Sequence, residues 1–196
     1  VFDNYIPAMN KTLNNSAFIF LGNIHPDMQM SVIKKTTGQQ IIILDTMNLW
    51  IDISLESLKQ VISKVNMFLL NDEEAFLLTK KSKIEEAAEI LMDMGPEVII
   101  IKKGSLGSYL YDKNNNNKVH IPAFPISNVV DTTGAGDSFA GGFVGNIEKK
   151  SIIDAVIVGS AIASFTVSKF GVNGLINITE EEINSRINHI KMLIKD

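Results

Sequence analysis

Near-continuous apolar runs alternate along this chain with segments of helical periodicity. Four apolar runs, at 17–21, 41–44, 67–70 and 98–101, predict strands that are buried on both faces. Between them, apolar residues recur at three- and four-residue spacing over 55–65 and 84–92, as on one face of a helix. Alternation of this kind predicts an α/β fold of three α/β/α layers around a mostly parallel sheet.

The pattern changes after Gly104. Two short segments, 108–111 and 119–123, flank the asparagine run 114–117 and predict an antiparallel hairpin with a solvated loop. Three helices are then expected, over about 135–147, 152–168 and 179–193. The second has no charge between Ala155 and Ser168 but is shorter than the ~20 residues that span a bilayer, so it predicts a buried core helix.

Local signals refine these helices. Ser82 with Glu85, and Thr179 with Glu182, have the spacing of capping boxes that open a helix. Gly141 and Gly145, one helical turn apart, predict a close approach to a neighbouring helix.

Composition narrows the functional classes. The chain has 196 residues, 45% of them hydrophobic and 20% charged, which predicts a single globular domain over residues 1–196. A formal charge of -4 argues against a nucleic-acid partner. The chain contains no cysteine, which excludes disulfides and cysteine-ligated zinc. With no signal peptide or membrane segment apparent, we expect a cytoplasmic protein without a membrane partner.

The most informative segment runs from Val130 to Phe143, where a short apolar strand passes through a glycine-containing bend into a helix. Backbone N–H groups at a helix start lack intrahelical acceptors and carry partial positive charge, and Gly134 and Gly136 would let a bulky anion approach them. Asp137 then lies in the first turn, as a base beside a phosphate would. Ordinary capping by a first-turn aspartate is the alternative from these residues alone. No P-loop and no dinucleotide-binding glycine motif is present.

The segment 131–137, Asp-Thr-Thr-Gly-Ala-Gly-Asp, resembles the second signature of the ribokinase-like (PfkB) carbohydrate kinases. Asn71 to Glu74 resembles the Asn-x-x-Glu motif of that family, and 102–107, Lys-Lys-Gly-Ser-Leu-Gly, resembles its nucleotide-side strand and turn. The segment 168–171 falls where members close a monovalent-cation and adenine pocket. The resemblance covers the chain from about residue 17 onward.

The resemblance implies a ribokinase-type fold and transfer of the γ-phosphate of ATP to a hydroxyl of a sugar. A nucleoside acceptor on the same fold is the alternative. Asp137 would accept the proton of the substrate hydroxyl. The N–H groups of Gly134, Ala135 and Gly136 would bind the transferring phosphate.

The remaining expected site residues concern the nucleotide, the acceptor and cations. Asn71 and Glu74 would lie near the triphosphate, with Glu74 orienting a magnesium-bound water, although the pair also has the spacing of a capping box. The other expected nucleotide contacts are Lys102, Gly104, Gly107 and Thr133. Asp131, Thr133 and Gly171 resemble monovalent-cation ligands, with K⁺ as the candidate. Asn23 is a candidate acceptor contact. Trp50, which follows a strand ending on the same edge of the sheet, either lines the cleft or caps the sheet.

The chain begins at Val1 without the strand and glycine segment that usually opens this family, so we expect a kinase truncated at its N-terminus and lacking its lid. Two further alternatives follow. One is an inactive fragment, whose uncovered surface would favour a homo-oligomer. The other is a nucleotide-binding module without catalysis.

Overall fold

The computed structural model describes residues 7–8 and 15–194. The sequence also predicts an irregular segment over 1–15, and most of it lies outside the described residues. Six strands occur in the described part: β1 (Phe18–Leu21), β2 (Ile41–Asp45), β3 (Met67–Asn71), β4 (Val98–Lys102), β5 (Ser108–Asp112) and β6 (Asn117–Ile121).

Eight α-helices lie in the same part of the chain. They are α1 (Pro26–Ile33), α2 (Asn48–Ile53), α3 (Leu55–Ile62), α4 (Asp72–Thr79), α5 (Ile84–Asp93), α6 (Ala135–Val144), α7 (Ile152–Thr166) and α8 (Glu180–Leu193). Short 3₁₀ turns occupy Gly104–Leu106 and Gly171–Gly174. All four predicted strands and the three predicted C-terminal helices are confirmed, with ends that shift by a few residues. The prediction of burial on both faces is wrong for β1, which lies at the end of the strand order and leaves Phe20 exposed.

The strands form one six-stranded sheet in the order β1-β2-β3-β4-β5-β6. The pairs β1–β2 and β2–β3 are parallel, with Phe18 opposite Ile41 and Ile43 opposite Met67. Strand β5 runs back along β4, because the amide of Lys103 donates to the Gly107 carbonyl at 2.7 Å and that of Lys113 to the Glu97 carbonyl at 2.9 Å. The α/β fold with a mixed, partly parallel sheet is therefore confirmed.

The described chain divides into two compact units. The first comprises residues up to 101 together with 111–117, and the second comprises 102–110 and the chain from 118 onward. In the first, β2, β3 and β4 are almost wholly buried, since helices cover the apolar strand residues on which the prediction rested. The expectation of a single domain stays a prediction.

In the second unit, α7 is the core helix that its uncharged sequence predicted, with buried residues from Ala155 to Ala161 and from Ser164 to Thr166. The prediction that Gly141 and Gly145 make the close helix contact is wrong. A β-carbon on Gly141 would meet nothing within 4 Å, whereas one on Gly142 would lie 2.9 Å from the Gly159 α-carbon of α7. A different face of α6, the one that carries Gly142, therefore packs against α7.

Three other local predictions have different outcomes. The capping box of Thr179 and Glu182 is confirmed at the start of α8. The box of Ser82 and Glu85 is wrong, because α5 begins after Lys83, which makes no side-chain capping bond. The hairpin is confirmed, but β6 begins at Asn117, inside the asparagine run, because Asp112 folds the loop early by accepting from the amides of Asn114 and Asn115.

Candidate active site

The glycine-containing turn before α6 has the geometry of an anion cradle. Gly134 is the N-cap and has a φ of 75°, a left-handed conformation that favours glycine. The Ala135 amide donates to the Thr132 carbonyl at 3.2 Å, so this one of the three predicted donors is engaged within the turn. Within the described residues, the amides of Gly136 and Asp137 have no backbone acceptor. The Asp137 amide is thus a donor that reasoning from the glycines alone missed.

Lys102 supplies positive charge at this turn. Its Nζ lies 3.5 Å from the position that a β-carbon on Gly136 would occupy, so the ammonium group borders the space that the glycine leaves. Lys102 ends β4 and is half-buried, which restricts where its side chain can go. An ammonium group and helix-start amides facing one small space together favour an anion.

Arginine takes no part in this arrangement. Arg186 is the chain's single arginine, and its guanidinium carbon lies 3.5 Å from the centre of the Phe165 ring and 4.7 Å from that of Phe124. Its Nη1 donates to the Ser164 hydroxyl at 2.7 Å, and burial lowers the pKa of the group. Arg186 is therefore a packing residue, which leaves lysine to neutralise an anion.

Asp137 is exposed in the first turn of α6, and its helix is held by contacts that the sequence did not reveal. The next residue, Ser138, accepts a hydrogen bond from the Thr166 hydroxyl on α7 at 2.7 Å. A β-carbon on Gly159 would lie 2.7 Å from the Phe139 carbonyl, so α7 also packs closely against this first turn. These contacts fix the direction in which α6 presents its N-terminus.

Asp131 joins the turn to the 3₁₀ segment forty residues later. One carboxylate oxygen accepts from the Thr133 amide at 2.9 Å and the other from the Gly171 amide at 3.2 Å. These hydrogen bonds, led by that of Thr133, lower the pKa of the Asp131 carboxyl. The three residues predicted around a monovalent cation are thus brought together, but through N–H donors, which cannot themselves bind a cation.

The two glycines of the β4–β5 connection differ in role. Gly107 is buried with a φ of 95°, and a β-carbon there would overlap the Ile121 carbonyl, so the fold itself requires this glycine. Gly104 is exposed with a φ of 52°, and a β-carbon there would meet nothing within 4 Å. Packing therefore explains Gly107, whereas at Gly104 only the backbone conformation demands glycine.

In the first unit, Asn71 and Glu74 form the capping box that their spacing allowed. The Asn71 side chain accepts from the Glu74 amide, and the Glu74 carboxylate accepts from the Asn71 amide, each at 2.8 Å. Glu74 is 6% exposed, so its carboxylate is fixed at the start of α4. The structural interpretation of this pair is confirmed, and a nucleotide role remains compatible with it.

Asn23 and Trp50 lie together where β1 and β2 end. The Trp50 indole N–H donates to Asn23 Oδ1 at 2.7 Å, and Asn23 Nδ2 donates to the Met47 sulfur at 2.9 Å. Both ends of the Asn23 amide are thus engaged by the chain itself. The sequence placed both residues at the same edge of the sheet but predicted neither their contact nor their hydrogen bonds.

The chain thus has an α/β fold with a glycine-containing turn at the N-terminus of α6, where two helix-start amides and the Lys102 ammonium group lie close together. A sequence model of the pfkB family of carbohydrate kinases matches residues 9–178. The chain belongs to this family.

Curated relatives carry both sugar and nucleoside names. The chain is 32% identical over 129 residues to a ribokinase of Staphylococcus aureus, a match that covers 62% of this chain and 41% of the relative. It is 27% identical over 172 residues to a cytidine kinase of Thermococcus kodakarensis, covering 85% of this chain and 60% of that one. The chain therefore spans only part of the length of these relatives.

The fold is similar to that of solved kinases. The structure of Arabidopsis thaliana ribokinase complexed with ribose and ATP superposes with a TM-score of 0.74 at 24% identity, covering 89% of this chain and 56% of that one. This likeness establishes the ribokinase-type fold. None of the helices within the described residues has the length and apolar character needed to cross a membrane.

Proposed function

We propose that this chain carries the phosphate-transfer site of an ATP-dependent kinase, which moves the γ-phosphate of ATP to a hydroxyl of a sugar or of a nucleoside. The observation that carries the proposal is the start of α6, where unpaired amides, a left-handed glycine and the Lys102 ammonium group border one space. The names of the relatives, ribokinase and cytidine kinase, support both acceptor classes.

In the proposed reaction, the acceptor hydroxyl oxygen attacks the γ-phosphorus while the bond from that phosphorus to the bridging oxygen breaks, and ADP leaves. The Asp137 carboxylate accepts the hydroxyl proton as the new P–O bond forms. The amides of Gly136 and Asp137 donate to the equatorial oxygens, with Gly134 setting their direction. Because catalysis of this kind depends on positioning and charge, the contacts that fix α6 serve the chemistry directly.

Lys102 is the residue that we propose to place positive charge beside the transferring phosphate. The exposed turn at Gly104 and the Thr133 region would border the remainder of the nucleotide. Gly107 serves the same site indirectly, by allowing the tight β4–β5 connection that sets the end of β4.

Magnesium bound with ATP would supply further charge neutralisation. Glu74 fits an indirect role, because its carboxylate is fixed by the capping box and magnesium usually retains several waters when few carboxylates hold it. For K⁺, Asp131 keeps lone pairs beyond those used by Thr133 and Gly171, so a cation there would rely on these and on carbonyl oxygens.

The test is calorimetric titration of Mg-ATP into the chain and into two variants. Gly136→Val would fill the cradle, so we expect Mg-ATP binding to weaken at least tenfold. Asp137→Asn should leave the affinity within a few-fold while lowering the phosphotransfer rate by a factor of ~10²–10⁴, the usual contribution of a general base. Unchanged affinity in Gly136→Val would place the phosphate elsewhere.

A nucleotide-binding protein without catalysis is the second candidate. It would show the same response to Gly136→Val but no phosphotransfer that depends on Asp137. Measuring the transfer of labelled γ-phosphate to ribose and to cytidine, with Asp137→Asn as the control, separates the two. Cytoplasmic location and homo-oligomer formation remain predictions.

A further inference from the structure

An aromatic cluster lies at the ends of β1 and β2, in the first unit. The His25 and Trp50 rings meet edge to face, with centroids 5.1 Å apart and planes inclined at 71°. The Trp50 N–H is held by Asn23, as described above, and the Asn23 amide is also tied to Met47. Three residues from two loops therefore fix the position of one indole ring.

His25 is itself held in place. Its Nδ1 accepts from the Asp27 amide at 3.2 Å and so caps α1, which leaves Nε2 to carry the ring proton of the neutral form. Nε2 lies 3.4 Å from the Ser54 hydroxyl, beyond the far end of α2. The ring that packs against Trp50 is therefore restrained at both nitrogens.

These contacts use the single hydrogen-bond donor of the Trp50 indole and part of the capacity of the Asn23 amide. The indole N–H and the Asn23 amide are engaged within the cluster. The Trp50 ring is half-buried, so part of its π-surface stays accessible. Exposed apolar side chains also occur in the same segments, at Ile24, Leu49 and Ile53, which are 40%, 43% and 65% exposed.

An apolar surface of this kind discriminates between acceptor classes. A sugar can pack only its C–H groups on an aromatic ring and relies on hydrogen bonds for most of its recognition, whereas a nucleobase presents a flat π-face that stacks over the whole ring. The cluster lies at the carboxyl ends of parallel strands, the edge at which open α/β sheets bind ligands.

We propose that Trp50 is an aromatic platform for the base of a nucleoside acceptor, and that Asn23 and His25 position its ring. The inference rests on the proposed kinase function and deepens it by selecting the nucleoside class. Asn23 thereby acts through Trp50 instead of contacting the acceptor.

Trp50 is the only tryptophan of the chain, so its fluorescence reports on this cluster alone. We would titrate the chain with cytidine, inosine, D-ribose and Mg-ATP in parallel. The expected result is saturable quenching or a spectral shift with a nucleoside and none with ribose. Quenching by Mg-ATP alone would assign the ring to the phosphate donor and overturn the proposal.

Calorimetry with variants completes the test. Trp50→Leu should weaken nucleoside binding about tenfold or more, as expected for the loss of one stacked ring. Asp52→Asn, at an exposed position on the same helix, is the matched control and should bind nucleoside normally. Asn23→Leu should shift the Trp50 emission even without ligand and should weaken nucleoside binding. Asn23→Asp, which keeps an oxygen acceptor for the indole N–H, should restore both, and its failure to do so would show that Asn23 does not act by positioning Trp50.

The outcomes separate the two proposals. If Mg-ATP binds in a Gly136-dependent manner but no nucleoside binds or Trp50→Leu binds it equally well, the platform is refuted while the kinase proposal stands. If nucleoside binding depends on Trp50 but Mg-ATP does not bind, the kinase proposal fails and the aromatic site is retained.

Discussion

The Lys102 Nζ lies 3.5 Å from the point at which a β-carbon on Gly136 would be placed. The glycine and the lysine therefore border the same small space, so the effect of a substitution at one position depends on the residue at the other. A larger residue at 136 would fill the space, whereas a neutral residue at 102 would leave the space without its charge.

The first prediction concerns this charge. We expect Lys102→Met to weaken Mg-ATP binding about tenfold, because a charge-assisted contact to a phosphate is lost, with the loss shrinking at high salt. Lys103→Met is the matched control, because the Lys103 side chain does not lie within 4 Å of the β-carbon position of Gly136. The affinity of this variant for Mg-ATP should change less than threefold. Calorimetric titration at two salt concentrations measures both variants. Equal effects at 102 and 103 would mean that general charge, not position, matters.

The second prediction compares two adjacent glycines of α6. Gly142→Ala places a methyl group 2.9 Å from the Gly159 α-carbon and should lower the free energy of unfolding by about 1–3 kcal/mol, as overpacking does. Gly141→Ala meets open space and should raise it by up to about 1 kcal/mol through helix propensity. Urea denaturation of both variants provides the measurement, and a destabilised Gly141→Ala with a normal Gly142→Ala would refute this helix contact.

The third prediction is a pH dependence of stability that arises at Asp131. Hydrogen bonds from the Thr133 and Gly171 amides hold the pKa of its carboxyl below the usual 3.8, so the ionised form stabilises the folded state. That contribution is present above the unfolded-state pKa and is lost as the pH falls through the lower folded-state pKa.

Asp131→Asn should therefore be less stable than the unmodified chain at neutral pH, and the difference should shrink as the pH falls below 3.8 and through the lower pKa of the folded state. Thermal denaturation across this pH range tests the prediction. A difference that is constant with pH would show that the ionised carboxylate is not the source of the effect.

The fourth prediction separates capping from nucleotide binding at Asn71. Asn71→Ala removes the cap and should cost about 1 kcal/mol of stability, whereas Asn71→Asp keeps a capping oxygen and should be nearly as stable as the unmodified chain. If the side chain also borders the triphosphate, Asn71→Asp should bind Mg-ATP more weakly because of charge repulsion. Thr179→Ala is the control: it removes the equivalent cap at the start of α8, so it should lower the stability without changing the affinity for Mg-ATP. Normal Mg-ATP affinity in Asn71→Asp would leave capping as the whole role.

Much of the architecture was predictable because its signals are local. The runs that form β2, β3 and β4 are apolar over consecutive residues, a pattern that is typical of short strands buried on both faces. The capping boxes at Asn71 and Thr179 were readable from a three-residue spacing, yet the same spacing at Ser82 failed because α5 begins one residue later. Capping depends on which residue leaves the helical backbone conformation, and the pattern alone does not fix that residue.

The sequence by itself determined the α/β alternation, the glycine-containing turn before α6 and, through its motifs, the resemblance to one family of kinases. Only the tertiary structure decided that Lys102 faces Gly136, that Gly142 and not Gly141 meets α7, and that Asn23 holds Trp50. Backbone conformation is set largely by neighbouring residues along the chain, so it can be predicted from local sequence patterns. Contacts between distant side chains depend on helix rotation and packing, which many sequences satisfy in different ways, so they are visible only in the folded molecule.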